Sequence, residues 1–216
     1  MNDLEKGSLA DGWRWVRLGE VCDFLDSRRV PVNDADRAKR IAGKKQSQLF
    51  PYYGANGQVG WIDDYLFDEP LILLAEDGGN FGSKDRPIAY AVSGRYWVNN
   101  HAHVLRPRNT VDFDYCFHAL RIRPDVGDLV SGSTRAKLNQ EIAAQIPIPL
   151  PPLPEQKRIA AILSNQMEAW SGRGPPPRRS WSCQQALLSP ICVSLSPTGA
   201  FAAFLYATAY RRCHPV

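Results

Sequence analysis

Two carboxylates and a lysine occur in an order that could hold a divalent metal: Pro124-Asp125, then Glu155-Gln156-Lys157. Metal-assisted phosphodiester cleavage needs such groups fixed on adjacent strands. Glu155 instead follows Pro151-Pro152-Leu153-Pro154, the context of a helix start, so an autonomous Mg²⁺ nuclease is the weaker reading. His101 and His103 are two residues apart and would share one face of a strand, as metal ligands can. No third ligand lies near them in sequence, which favours histidines satisfied within the structure. The five cysteines (Cys22, Cys116, Cys183, Cys192, Cys213) are odd in number and none are at CxxC spacing, against both a disulfide framework and a zinc site. The glycines of GANGQVG do not match GxGxxG, and no GxSxG elbow supports a serine nucleophile.

A different chemistry is spread through the turns. Basic side chains recur in pairs: Lys84 and Arg86, Arg106 and Arg108, Arg121 and Arg123, Arg135 and Lys137. Amide side chains fall at Asn56, Asn80, Asn99, Asn100 and Asn139. Arginine reads guanine and asparagine reads adenine in the DNA major groove, while lysine and arginine hold phosphates. The segment Asp26 to Gln48 is also basic, with Arg28, Arg29, Arg37, Lys39, Arg40, Lys44 and Lys45. It reads as a loop, either solvated or in contact with phosphate.

The elements that would position these groups are mostly strands. Arg14 to Arg17 reads as a short strand, followed by a helical turn near Gly19-Glu20. Asn56-Gly57 lies between Tyr52-Tyr53 and Val59 to Ile62, the strongest short hairpin signal. Leu71 to Ala75 is a continuous apolar run, short enough for a buried strand. Ile88 to Val92, Tyr96 to Val98 and His101 to Arg106 follow as further strands. Asp112 or Asp114 can cap a helix through Tyr115, Ala119 and Leu120. Val130 to Ser133 is a Gly/Ser turn, and Leu138 to Ala144 is helical. The order predicts an α+β domain rather than a doubly wound one.

Ile146 to Pro154 alternates apolar residues with prolines. Proline fixes φ and removes a donor, so the segment is expected to be extended and to stay out of a sheet. Pro154 suits the first position of a helix, Glu155 its positive end, and Ile159, Ile162 and Leu163 an apolar stripe. The predicted organisation is residues 1–149 as the mixed, strand-rich domain, 150–163 as a strap and helix start, and 164–216 as an irregular tail.

Charge supports that division. The whole chain carries 26 Lys+Arg against 22 Asp+Glu, a net +4. Residues 1–163 carry 21 of each, and the tail carries five arginines and one acid, Glu168. The basic balance therefore belongs to the tail, and pI says little about DNA binding. The tail also loses lysine and aspartate and gains cysteine, serine and proline, which suggests out-of-frame translation after about Leu163. The N-terminus lacks the charged and apolar regions of a signal peptide, and no apolar run approaches the roughly 18 residues of a membrane span. A cytoplasmic location without membrane attachment is expected.

Several segments, in order, resemble one target recognition domain of the specificity subunit of Type I restriction–modification enzymes. They are WVRLGEV (Trp15 to Val21), YYGANGQVGWID (Tyr52 to Asp63), LILLAEDGGNFGS (Leu71 to Ser83), VNNHAHVL (Val98 to Leu105), GSTRAKLN (Gly132 to Asn139) and PPLPEQ, the last leading into a spacer helix. The resemblance implies a non-catalytic, sequence-specific reader of double-stranded DNA that binds no cofactor itself. It implies two partners: a modification (methyltransferase) subunit and a restriction (endonuclease) subunit. S-adenosylmethionine, ATP and Mg²⁺ would be used there, and half-length subunits can self-associate. Within that reading, Asn56, Asn80, Lys84, Arg86, Arg135 and Lys137 are the expected DNA contacts. Glu155, Ile159, Ile162 and Leu163 are the expected contacts to partner helices. A family member has two such domains joined by two long helices, and here there is one domain. A module that offers its Pro-rich segment as a ligand is the remaining alternative. The DNA target itself is not legible.

Overall fold

In a computed structural model, the residues described are 11–77, 81, 86–121, 126, 129 and 137–171. Strand β1 (Arg14–Arg17) leads into the short helix α1 (Leu18–Val21) and strand β2 (Cys22–Phe24). A 3₁₀ turn at Asp26–Arg28 and helix α2 (Asp34–Ile41) precede strands β3 (Phe50–Gly54), β4 (Gly57–Ile62), β5 (Phe67–Asp68) and β6 (Leu71–Ala75). Strands β7 (Ala89–Val92), β8 (Arg95–Val98) and β9 (Ala102–Pro107) then run into helix α3 (Phe113–Arg121). Helix α4 (Gln140–Ala144), strand β10 (Pro147–Leu150) and helix α5 (Leu153–Ser171) complete the described chain.

The strands form two four-stranded sheets, ordered β2-β9-β6-β7 and β4-β3-β8-β5, and a two-stranded pair, β1-β10. The first is antiparallel throughout, and the second contains one parallel contact, β3 on β8. With helices beside these sheets, the fold is α+β.

β6 explains its own sequence. All five of its residues are buried. Ile72 and Leu74 pack toward α3, α4 and α5 in one core, while Leu71 and Leu73 point the other way, with Phe67, Tyr96 and Val104. A strand covered on both faces has no polar alternation. At about 1.5–3 kcal/mol per fully buried leucine or isoleucine, this strand contributes strongly to the hydrophobic stabilisation of the domain.

Local signals work as expected in several places. Gly57 sits at φ 116°, in the hairpin turn between β3 and β4. Asp112 caps α3, its Oδ1 accepting from Tyr115 N at 3.0 Å. Asn139 caps α4 in the same way, through Ile142 N at 2.9 Å. Gly19 lets α1 approach α4: a Cβ there would stand 3.1 Å from that of Ala144.

Three expectations need correction. The Asp26–Gln48 segment is not a loop but a 3₁₀ turn, a helix and a second 3₁₀ turn. Three of its four arginines lie on aromatic faces, Arg28 over Phe67, Arg37 over Tyr52 and Arg40 over Trp97, at 4.7, 5.0 and 4.9 Å. The proline strap does join a sheet: β10 pairs with β1 across Arg14↔Leu150 to Arg17↔Pro147. A two-stranded pair needs donors only on its inner side, and Ile148 and Leu150, alternating with the prolines, can supply them. Finally, α5 begins at Leu153, with Pro154 second, and continues past Leu163 to Ser171. The first eight residues assigned to the tail are therefore helical. The Val130–Ser133 turn lies outside the described residues.

Candidate nucleic-acid interface

Of the expected DNA contacts, Asn56, Arg86 and Lys137 are among the described residues. Asn56 is exposed at the tip of the β3–β4 hairpin. The other candidates, Asn80, Lys84 and Arg135, lie in sequence between residues described on either side. Asp77, which precedes Asn80 in sequence, and Lys137, which follows Arg135, form an isolated antiparallel bridge. Leu138 N donates to Glu76 O at 2.7 Å and reinforces it. Arg86 is exposed, as is Lys137. Asn80, Lys84 and Arg135 lie outside the described residues.

Beneath that bridge is a charged cluster. His103, 1% exposed, has Nδ1 at 2.6 Å from Asp26 Oδ2 and Nε2 at 2.7 Å from Leu138 O. Asp26 Oδ1 accepts from Val104 N at 2.9 Å. Arg29 donates to Glu76 Oε2 and to Ala102 O, both at 2.7 Å, and lies 3.4 Å from Asp26. Lys137 Nζ completes it, 3.3 Å from Glu76 Oε1. His101 Nδ1 stands 2.6 Å from Asp77 Oδ1. Both histidines of the HAH motif thus brace the Glu76-Asp77 end of β6. Sequence reasoning treated them as structural but did not find Asp26, Arg29 and Glu76, whose pairing crosses 47 to 77 residues.

Asp26, Glu76 and His103 bring their ligand atoms within 4.8 Å of one another, a metal-like grouping. The chemistry does not favour a cation. Arg29 and Lys137 already neutralise the carboxylates, and both ring nitrogens of His103 face oxygen atoms. The cluster is an ion-pair hub that ties the 3₁₀ turn, β6, β9 and Leu138 together.

Other predicted groups are taken up inside the domain. Asn99 accepts from His101 N at 2.8 Å and is buried. Arg106 forks onto Glu69 at 2.9 and 2.7 Å, and this pairing, more than burial opposes it, holds the carboxyl below its ordinary value. Arg108 pairs with Asp23 at 2.8 Å. In the basic segment, Lys44 and Arg40 both bond Asp63 at 2.6 Å, Lys44 being the larger cause of its lowered pKa. The hairpin also carries groups that sequence reasoning passed over. Gln58 is exposed beside Asn56, and Val59 and Trp61, two apart on one face of β4, are 53% and 37% exposed. The polar–apolar alternation of QVGW was the available signal.

The partner-facing candidates divide. Ile159 and Leu163 are buried, 1% and 7% exposed, in the domain's own core. Their stripe faces α3, not a partner, because the domain itself leaves that groove to be filled. Ile162 is half-buried, and Glu155 is forked onto Arg158 at 2.7 Å through both oxygens. That carboxylate is on a helix, so the strand-borne metal geometry of a nuclease is not met by Glu155. Asp125 lies outside the described residues. The missed residue is Gln156, buried at 1% with three backbone partners. Among the described residues no helix is long and apolar enough to cross a membrane.

Comparisons with known proteins agree with this architecture. A Haemophilus influenzae protein named as a type I restriction enzyme specificity subunit is 34% identical over 160 residues, 74% of this chain and 39% of its own length. The type I restriction enzyme EcoprrI specificity subunit of Escherichia coli is 25% identical over 146 residues, 68% of this chain and 34% of its own. The chain thus spans less than half the length of the curated relatives it matches. The crystal structure of the Type-I restriction-modification system S subunit from M. genitalium superposes with a TM-score of 0.58 at 15% identity, covering 76% of this chain and 42% of that one, a likeness of fold. Residues 10–169 match the family described as the Type I restriction modification DNA specificity domain, and the chain belongs to that family.

Proposed function

We propose that this chain reads a sequence in double-stranded DNA as a half-length specificity subunit, and that it performs no chemistry itself. Methylation and cleavage would belong to a modification subunit and a restriction subunit, which use S-adenosylmethionine, ATP and Mg²⁺. Its place would be the cytoplasm. The observation that carries the reading is the family match, which spans the recognition domain and runs into α5. Support comes from the bridge Asp77↔Lys137, between whose two residues Asn80, Lys84, Arg86 and Arg135 lie in sequence. Amides and guanidinium groups suit base edges, and Lys137, expected from the sequence as a DNA contact, would reach a phosphate only by giving up Glu76.

The test is co-expression with the modification subunit of the same system, followed by mapping of methylated adenines. Methylation at one defined motif is expected. A split, symmetric motif would mean two copies of this chain. A folded chain that co-purifies with the modification subunit yet directs methylation to no motif would refute DNA reading. In a working complex, Arg86→Ala should relax the motif, at about 1–3 kcal/mol per lost base contact.

A further inference from the structure

The start of α5 is held by a polar device that the apolar stripe does not explain. Gln156 is 1% exposed, and its side-chain amide spends both ends on backbone. Its Oε1 accepts from Asp112 N at 2.7 Å. Its Nε2 donates to Pro151 O at 2.8 Å and, more weakly, to Thr110 O at 3.4 Å. Asp112 is the cap of α3, and Thr110 precedes it in the same turn. One side chain therefore ties the first turn of α5 to the cap of α3 and to the end of β10.

A second tie lies two turns further on. His118 of α3 has Nε2 at 3.0 Å from Ser164 Oγ of α5. At 1.5 Å rise per residue the two ties are about 12 Å apart along the helix. Between them Ile159, Ala160 and Leu163 fill the core shared with Tyr115, Cys116 and Ala119. Apolar side chains resist separation but tolerate sliding and rotation, whereas hydrogen bonds are directional. Two directional contacts at the ends of an apolar seam fix both register and angle.

We propose that Gln156, with the His118–Ser164 pair, sets the direction in which α5 leaves the recognition domain, Gln156 being the positioning residue. A buried amide is costly unless its partners are met, and here they are met only when α5 lies at one angle to α3. The geometry stands without the functional reading. Its consequence rests on that reading: whatever engages the far part of α5 is held at a set position relative to the DNA-facing segments.

The test uses the full chain, with spin labels on p-acetylphenylalanine introduced at Val59 and Asn165, both exposed, and pulsed electron–electron distance measurements. The parent should give one narrow distance population. Gln156→Leu, which keeps the volume roughly and loses the polar ties, should give a broadened or shifted population with a cooperative melt retained. Ser164→Ala should move it less and in the same sense, and Gln156→Glu, which keeps Oε1, should recover the parent's main distance in part. A cooperatively folded Gln156→Leu chain with the parent's distribution would overturn the proposal. Should Gln156→Leu lose its cooperative melt, the Ser164→Ala/Gln156→Glu double variant is read by the same rule. No DNA enters the measurement, so its failure is separate from a failure of DNA reading.

Discussion

Replacing Glu76 with alanine tests the claim that the ion-pair hub holds the Asp77↔Lys137 bridge in place. Glu76 accepts from Arg29 at 2.7 Å, lies 3.3 Å from Lys137, and stands 3.7 Å from His103. The Arg29 and Glu76 side chains are each 13% exposed, and that of His103 is 1% exposed. Truncating one partner of a buried pair leaves the other charge uncompensated, at about 3–5 kcal/mol. Arg29 would keep Ala102 O and the longer contact to Asp26, so the expected loss is at the lower end, about 3 kcal/mol. With a urea m-value of about 2 kcal/mol/M, that lowers the midpoint by roughly 1.5 M. The control is Glu69→Ala, which breaks the fork to Arg106 and the 3.3 Å pair to Arg28, where Glu69 is 31% and the arginines 43% and 45% exposed. Solvent screening limits each such pair to about 0–1 kcal/mol. Urea unfolding followed by tryptophan fluorescence compares the two at equal pH and salt. If Glu76→Ala loses no more than Glu69→Ala, burial and network are not what give the hub its value, and the reasoning fails.

Three further outcomes follow from the same structure. Ile159→Ala should destabilise the chain alone by about 2–4 kcal/mol in calorimetry, because the side chain is 1% exposed within the domain's core; a change under about 0.5 kcal/mol would mean that the stripe awaits a partner. Burial, with Arg121 nearby, pushes His118 down from 6.5 to about 4. The unfolded chain therefore takes up that proton first as pH falls, and the associated stability, present above pH 6.5, is lost down through about pH 4. Urea midpoints at pH 7 and 4.5 should fall further for the parent than for His118→Gln, and equal falls would contradict this. Cys22 and Cys116 are buried with their sulfurs 3.5 Å apart, and contact with Cys22 together with burial raises the Cys116 thiol. Both should resist alkylation in the native chain and react in denaturant, as peptide mapping would show, whereas rapid native labelling would place them at the surface.

What the sequence made legible was local. The Asn56-Gly57 hairpin, the cap at Asp112 and the run Leu71 to Ala75 each carry their cause within a few residues. Helix α2 was not legible because its sequence, DADRAKRI, has no apolar stripe and none of its residues is buried. It is held instead by its Asn33 cap at 2.8 Å and by arginines reaching aromatic rings on β3 and β8. The strap at Pro147 to Leu150 misled for a related reason. Proline excludes a central strand, but whether a two-stranded partner exists is decided by Arg14 to Arg17, more than a hundred residues away. The stripe of Ile159 and Leu163 identified an interface correctly and its occupant wrongly, since periodicity does not say whether the covering surface belongs to the same chain. Gln156 was hidden because a lone amide in a helix start is unremarkable until its three backbone partners are known.

The placement of charge carries one more consequence. Residues 1–163 are neutral overall, and many of their cations are already engaged. Arg28 and Arg106 meet Glu69, Arg29 meets Glu76, Arg40 and Lys44 meet Asp63, Arg95 meets Asp68, and Arg108 meets Asp23. Such cations contribute little to phosphate attraction, because their carboxylates accompany them to the DNA. Each phosphate neutralised steepens the dependence of log K on log salt by about 0.9. If the proposed function is correct, residues 1–163 should contribute only a shallow slope on a random duplex, and any steeper slope of the whole chain should disappear when the five arginines of residues 164–216 are replaced by glutamine. The discrimination would then come from base-edge contacts and groove shape, whose contribution survives added salt. Fluorescence anisotropy on a random duplex and on the methylated motif, from 50 to 300 mM salt, separates the two contributions. A steep slope shared by both duplexes, and kept when those arginines are replaced, would show that non-specific attraction dominates and that the internal ion pairs open on contact with DNA.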